Sequence, residues 1–314
     1  MNELITVIMS SYNEELNWVE ESMQSILNQT YENIELIVVL DNPDHDELRE
    51  LLSNHEQTDS RVKVLINEKN LGLVSSLNRA LEHCRGHYIA RMDADDRSLP
   101  NRLELQKKYL ENNHFDFVFS EMILMDEKGN ILVDEEGLEL AGDEIKRRLK
   151  YTNVSTHPTW FLKREVYEML NGYREVPYCE DYDFILRAVS RNVKIGKMKE
   201  NVLKYRLRDN SISKRYMLEQ FMISRQLVSL YKENKLEDFS KMASTITKWT
   251  DSNAHDAERV KYVQARDTFH EAVGLIQNRR YGRGMNKLMR SMFVSRYFIL
   301  RSFDGVKAYV SRGR

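Results

Sequence analysis

In the first hundred residues, four short apolar runs each end in polar residues, and segments of helix length separate them. Leu4–Ser10 reads Leu-Ile-Thr-Val-Ile-Met-Ser and Ile34–Leu40 reads Ile-Glu-Leu-Ile-Val-Val-Leu; Val62–Ile66 and Tyr88–Arg91 complete the set. The runs are continuous rather than alternating, which is the pattern of parallel strands covered on both faces. Between them Trp18, Val19, Met23, Ile26 and Leu27, then Leu48, Leu51 and Leu52, then Leu77 and Leu81, recur at helical spacing. Strand–helix alternation of this kind predicts βαβ units and an α/β fold with a mostly parallel sheet. Polar residues follow each strand: Ser10–Glu14, Asp41, Asn70 and Asp93–Asp96. In an open α/β sheet those strand ends share one cleft, where ligands bind.

The densest of these clusters is Arg91-Met-Asp-Ala-Asp-Asp-Arg-Ser-Leu-Pro100. Three carboxylates within four residues repel one another unless a cation or hydrogen-bond donors offset them. Hard cations such as Mg²⁺ and Mn²⁺ take oxygen ligands, commonly one or two carboxylates together with substrate phosphates. The competing reading is a helix start, with Ser98 as the cap, Pro100 in the first turn and Asp96 also capping. No Gly-rich dinucleotide or phosphate loop follows a strand, and no His-rich or Cys-rich metal spacing occurs. Carboxylates at strand ends are the chemistry that remains.

Charge divides the chain. Residues 1–150 hold 16 Lys+Arg against 31 Asp+Glu, a net of −15, and the remainder is +13. The basic part is expected to face something anionic. Cys84 and Cys179 give no disulfide framework, the N-terminus reads as no signal peptide, and no apolar run reaches the length of a spanning helix. A cytoplasmic protein is expected.

After a helix over 101–110 the pattern loosens. Phe115–Met125 reads as a strand, Ile131–Val133 as a strand pairing back, 143–150 as a short helix and 156–161 as extended. Tyr178-Cys-Glu-Asp-Tyr-Asp183 opens a helix at 184–189, and 193–195 and 202–207 are later strands. From residue 211 helices are expected over 211–234, 236–250, 255–278 and 281–311. The expected domains are therefore 1–210, with halves 1–100 and 101–210, and a helical region over 211–314.

Several motifs, in order, resemble family 2 glycosyltransferases: Thr6-Val-Ile-Met-Ser-Ser-Tyr-Asn13, Ser25-Ile-Leu-Asn-Gln-Thr-Tyr31, Glu35-Leu-Ile-Val-Val-Leu-Asp41, Asn70-Leu-Gly72, Asp93-Ala-Asp-Asp96, His157-Pro-Thr159, Glu180-Asp-Tyr-Asp183 and Tyr205-Arg206. The likeness covers about residues 4–213, and the 91–100 stretch is most similar to bacterial enzymes of capsule, exopolysaccharide and O-antigen synthesis. It implies a GT-A fold, a UDP-sugar donor (galactose or glucose being the leading sugars), Mn²⁺ or Mg²⁺, and inversion at the anomeric carbon. It implies nucleotide-sugar contacts from Ser10, Tyr12, Glu14, Asp41, Asn70, Gly72, Asp93 and Ala94, with Asp41 accepting the uracil N3–H. Asp95 and Asp93 would hold the metal. Asp181 would be the general base, which an inverting transfer needs for the acceptor hydroxyl. His157, Trp160, Glu180, Arg206 and Arg208 are candidates for the acceptor or the diphosphate. Leu77 stands where many relatives have Arg, which removes one expected basic contact.

The stretch 279–314 holds ten Lys+Arg and one acid, Asp304, interleaved with Tyr, Met and Phe. A basic amphipathic helix of this type reads as a membrane-surface element. Nucleic-acid binding is the rival for a basic face, and a dimer or core-docking helix is a third reading; no nucleic-acid partner is expected. A lipid-linked acceptor, such as an undecaprenyl-diphosphate saccharide, would suit a peripheral position on the inner face of the cell membrane. Two other classes remain open: a nucleotidyltransferase, which would also use strand-end acids, and a non-catalytic binding module.

Overall fold

In the structure, a computed structural model that describes residues 3–208, 215–237 and 255–310, β1 (Ile5–Ser11), β2 (Ile34–Leu40), β3 (Val62–Ile66) and β4 (Tyr88–Asp93) lie parallel in the order β3-β2-β1-β4. Their register fixes the shared edge: Ser10 lies opposite Asp93, Ser11 opposite Leu40, and Leu40 opposite Ile66. Helices α1 (Leu16–Leu27), α2 (Asp46–Thr58) and α3 (Leu73–Glu82) provide the crossovers. All seven residues of β2 are buried, which accounts for its unbroken apolar run. Val19, Met23 and Ile26 of α1 pack into the same core as Val7, Met9, Leu36 and Val38.

After α4 (Arg102–Asn112) the sheet continues past β4 with mixed directions. β10 (Phe161–Lys163) pairs antiparallel to β4 and to β6 (Phe117–Phe119). β11 (Ile195–Lys197) lies parallel to β6, and β9 (Leu140–Ala141) closes the edge. A second, four-stranded sheet is ordered β5 (Arg97–Ser98), β12 (Leu203–Arg206), β7 (Ile123–Met125) and β8 (Ile131–Val133). The single strand expected over Phe115–Met125 is thus two strands in two sheets. Ser120, whose backbone N–H bonds to the Thr159 hydroxyl at 3.0 Å, sits in the break between them. The remaining helices of this part are α5 (Gly142–Arg148), α6 (Arg164–Leu170) and α7 (Glu180–Ser190), with a 3₁₀ turn at His157–Thr159.

The described residues fall into two compact units. One comprises those within Met1–Ile145, Val154–Glu175 and Glu180–Asp209, and the other those within Lys146–Asn153, Val176–Cys179 and Asn210–Arg314. Among the described residues beyond 214, the second unit has helices over Met217–Lys232, Asp256–Gln277, Tyr281–Val294 and Arg296–Val310. Its core gathers Leu218, Tyr262, Ala265, Tyr297 and Phe298. The helix expected over 236–250 lies, beyond residue 237, outside the described residues. The helix expected over 281–311 is broken at Ser295, which is extended (φ −138°, ψ 124°) and accepts the Phe298 N–H on its hydroxyl at 3.4 Å. A serine that caps a new helix can end the old one without Gly or Pro. Among the described residues, no helix is long and apolar enough to cross a membrane.

Candidate active site

The first wall of the cleft is the loop after β1. The Ser11 hydroxyl and the Tyr12 backbone N–H both donate to Glu14 Oε2, at 2.8 and 2.7 Å. Glu14 therefore folds the loop, and the Tyr12 ring remains 42% exposed above it. Ser10, partly buried, sits beside Asp93 in the register of β1 and β4.

The second wall is built around Asp41 at the end of β2. Asp41 is buried, and its backbone N–H bonds to the Ser11 carbonyl at 2.8 Å. Its Oδ1 accepts from Asn67 Nδ2 at 2.6 Å and from the Leu71 N–H at 2.8 Å; its Oδ2 accepts from the Gly72 N–H at 2.8 Å. Asn70 Oδ1 takes a second share of the Gly72 N–H at 3.0 Å. Gly72 has φ +85°, a conformation that glycine adopts without strain and that turns the chain into α3. Asp41, Asn70 and Gly72 are thereby one unit. A carboxylate offers about four acceptor directions, so three bonds leave Asp41 about one more.

The floor is the end of β4. One carboxylate oxygen from each of Asp93, Asp95 and Asp96 lies within 4.8 Å of the other two. Ala94 between them is buried, and the Asp93 carbonyl is held by the Ser22 hydroxyl at 2.8 Å. Burial first, and the Asp93 charge second, push Asp95 up to about 7, while Arg208 pulls it back. Burial first, then the Asp93 and Asp95 charges, raise Asp96 well above the carboxylate range. Its Oδ2 is buried with no hydrogen-bond partner among the described residues. Crowded, under-satisfied carboxylate oxygens are a hard-donor set, and they fit Mg²⁺ or Mn²⁺.

Basic groups surround these acids. Arg208 Nε lies 2.7 Å from Asp95 Oδ2, and its Nη1 is 3.9 Å from Glu14. Arg91, buried in β4, pairs with Asp93, and its Nε and Nη1 have no partner among the described residues. Sequence reasoning assigned Arg91 no role. The signal was present, because a lone arginine inside the apolar run Tyr88–Met92 needs a buried counter-charge.

A second group of acids begins α7. Three acids occupy its first turn, and the structure separates them. Asp183 is fully buried between Arg174 (2.6 Å) and Arg187 (2.7 Å), a structural ion-pair cluster. Asp181 is only partly buried, and its Oδ1 accepts the Tyr182 N–H at 2.6 Å. Burial and the Asp181 charge push Glu180 up to about 8; the charges of Arg91 and Asp93 also act on it, in opposite senses. Through them the α7 acids and the β4 acids share one electrostatic field. His157 lies between the two groups. Its Nε2 is 2.9 Å from the Tyr173 hydroxyl, and its Nδ1 is 3.9 Å from Glu180. Burial and Arg91 hold His157 well below the usual imidazole range, so it is neutral near pH 7. Tyr173 in turn bonds Tyr167 at 2.9 Å, a buried chain that the sequence did not announce.

Three expectations are corrected. Trp160 does not line an acceptor surface: it is fully buried, edge-on to Phe117 at 4.8 Å and tilted against Phe184 at 5.3 Å. Arg206 does not face a diphosphate. It is buried, and its Nε, Nη1 and Nη2 bond the Asp95 carbonyl, the Glu127 carbonyl and Glu21, each at 2.8 Å. Asp96 and Ser98 do not cap α4, whose N-cap is Asn101 without a side-chain bond. Asp96 Oδ1 instead accepts the Arg206 N–H at 2.9 Å, and Ser98 Oγ accepts from Arg102 at 3.3 Å. β12 thus clamps the acidic loop from behind.

Residues 6–170 match the family model described as glycosyl transferase family 2. An uncharacterized glycosyltransferase of Methanocaldococcus jannaschii is 38% identical over 214 residues, covering 67% of this chain and 74% of that protein. The O-antigen biosynthesis glycosyltransferase WbnJ of Escherichia coli is 32% identical over 240 residues, covering 76% and 92%. The amylovoran biosynthesis glycosyltransferase AmsE of Erwinia amylovora is 30% identical over 215 residues, covering 68% and 79%. Among solved structures, S. aureus TarS 1–349 in complex with UDP superposes with a TM-score of 0.58 at 16% identity, over 98% of this chain and 88% of that one. That likeness is one of fold, the GT-A arrangement of a Rossmann-like sheet between helices.

Proposed function

The chain belongs to glycosyl transferase family 2 and is a transferase, and from that premise we propose that it moves a hexose from a UDP-sugar, with inversion, onto a lipid-linked saccharide in cell-surface polysaccharide synthesis. The O-antigen and amylovoran relatives support the pathway class, and the TarS complex with UDP supports the donor. What supports the mechanism is the electrostatic coupling of two acid groups, the under-satisfied Asp93–Asp96 cluster and the Glu180–Asp181 pair, which share the field of Arg91 and Asp93.

In this reading Tyr12 lies along the uracil ring, with Ser10 beside it. The remaining acceptor direction of Asp41 takes the uracil N3–H, while its other bonds hold Asn70 and Gly72 against the nucleoside. Asp95 and Asp93 hold Mn²⁺ or Mg²⁺, which when bound supplies positive charge to the leaving diphosphate. Arg208, now paired to Asp95, is the side chain placed to meet a phosphate oxygen as well. Asp181 takes the proton of the acceptor hydroxyl as that oxygen forms its bond to the anomeric carbon. The bond from that carbon to the UDP oxygen breaks in the same displacement, and Asp181 then returns its proton to water. Burial and the Asp181 charge push Glu180 up to about 8, so the two carboxyl groups hold a proton between them more readily than two full charges. His157, fixed by its bond to the Tyr173 hydroxyl, lies with its Nδ1 3.9 Å from Glu180.

The test is turnover of Asp181→Asn with UDP-sugar and acceptor. UDP should still bind, and transfer of the sugar to the acceptor, with its release of UDP, should be lost. Retained turnover removes Asp181 from the role, and pyrophosphate as product would make the protein a nucleotidyltransferase.

A further inference from the structure

The helix Tyr281–Val294 presents three sides of different chemistry. Gly284 and Ser291 are buried. A side chain at Gly284 would meet Ile276 at 2.6 Å and the Ala272 carbonyl at 3.1 Å, so this side is packed tightly on the helix Asp256–Gln277. Tyr281, Met285, Met289 and Phe293, four residues apart, form a row that is 60, 51, 52 and 78% exposed. At 100° per residue that row turns away from the packed side. Beyond it around the helix come Arg283 and Arg290, both exposed. Four large apolar side chains in one exposed line are more than the scattered apolar residues of an ordinary surface.

Charge selects the occupant. From Arg279 to Phe303 the chain carries seven Lys+Arg and no acid. A second copy of this face would bring the same cations and be repelled, whereas an anionic surface satisfies both the apolar row and its basic margin. We propose that this face docks on an anionic lipid bilayer, with Tyr281, Met285, Met289 and Phe293 entering the boundary of headgroups and acyl chains while Arg283 and Arg290 lie among the lipid phosphates. The inference stands on the helix surface and is independent of the transfer chemistry.

The experiment is co-sedimentation of the full chain with vesicles of phosphatidylcholine alone or containing phosphatidylglycerol. Binding to the anionic vesicles should exceed binding to the neutral ones by about tenfold or more and should weaken as salt is raised. The double variant Met289→Ser/Phe293→Ser should lose about tenfold in binding with its circular dichroism and melting unchanged, since both side chains already face water. Arg283→Gln/Arg290→Gln should lower the salt sensitivity and leave the melting unchanged. Equal binding to both vesicle types, or unchanged binding by the Ser variant, overturns the proposal. So does a wild-type dimer in light scattering that becomes monomeric in the Ser variant while vesicle binding persists, because the row would then be a self-association face.

Discussion

Two strand ends on the same sheet edge carry buried acids with opposite fates. At the end of β2, Asp41 receives three N–H donors and holds a loop in place. At the end of β4, Asp95 and Asp96 are crowded by Asp93, receive fewer donors, and are raised in pKa by burial and mutual repulsion. A satisfied acid costs the fold little and gives shape. An unsatisfied acid cluster costs the fold stability and is retained where a cation or charged ligand repays it. The comparison separates an acid that gives the loop its shape from an acid cluster left with charge to share.

If the difference is real, substitutions at the two ends should fail differently. The largest effect is expected at Asp95→Asn, which should lower kcat by about a thousandfold or more while preserving or raising the melting temperature, because it removes a repelling charge along with cation binding. A large loss of stability in that variant would break the comparison. Next, Asp183→Asn should destabilise by about 3–5 kcal/mol in denaturant titrations, since it removes the buried charge that both Arg174 and Arg187 pair with. Asp181→Asn, two residues away, should leave stability almost unchanged. Asp41→Asn should cost about 1–3 kcal/mol and raise KM for the donor more than it lowers kcat, because the amide cannot accept all three N–H groups.

The smallest effect is the pH dependence. Asp95 and Asp96 have folded pKa values above their unfolded ones, so the folded state holds more protons between about pH 4 and 7. The stabilisation they contribute is therefore full below that window and is lost as pH rises through it, the reverse of an ordinary salt-bridged aspartate. Melting of the metal-free protein should fall modestly from pH 5 to 8, and added Mn²⁺ should restore more at pH 8 than at pH 5. Equal restoration at both pH values would detach the cation from these carboxylates.

Much of this edge was legible in the sequence. Parallel strands buried on both faces write unbroken apolar runs, and an acid directly after such a run has one place to go, so Ser10, Asp41 and Asp93 were placeable by their position alone. The α7 acids were legible as a group but not individually, since only the folded chain brings Arg174 and Arg187 to Asp183 and leaves Asp181 partly exposed. Trp160 and Arg206 misled because both residue types serve cores and ligand sites alike. Their burial comes from contacts with Phe117 and Glu21, remote in sequence. The split between β6 and β7, and the break at Ser295, escaped because neither is marked by Gly or Pro.

The central claim is that the acids after β4 recruit a cation to hold the donor's diphosphate while Asp181 serves only the acceptor. Calorimetric titration of UDP into the wild type, Asp95→Asn and Asp181→Asn, with and without Mn²⁺, tests it directly. The account predicts Mn²⁺-dependent UDP binding in the wild type and in Asp181→Asn, and its loss in Asp95→Asn. UDP binding that ignores Mn²⁺, or that survives in Asp95→Asn, would contradict it.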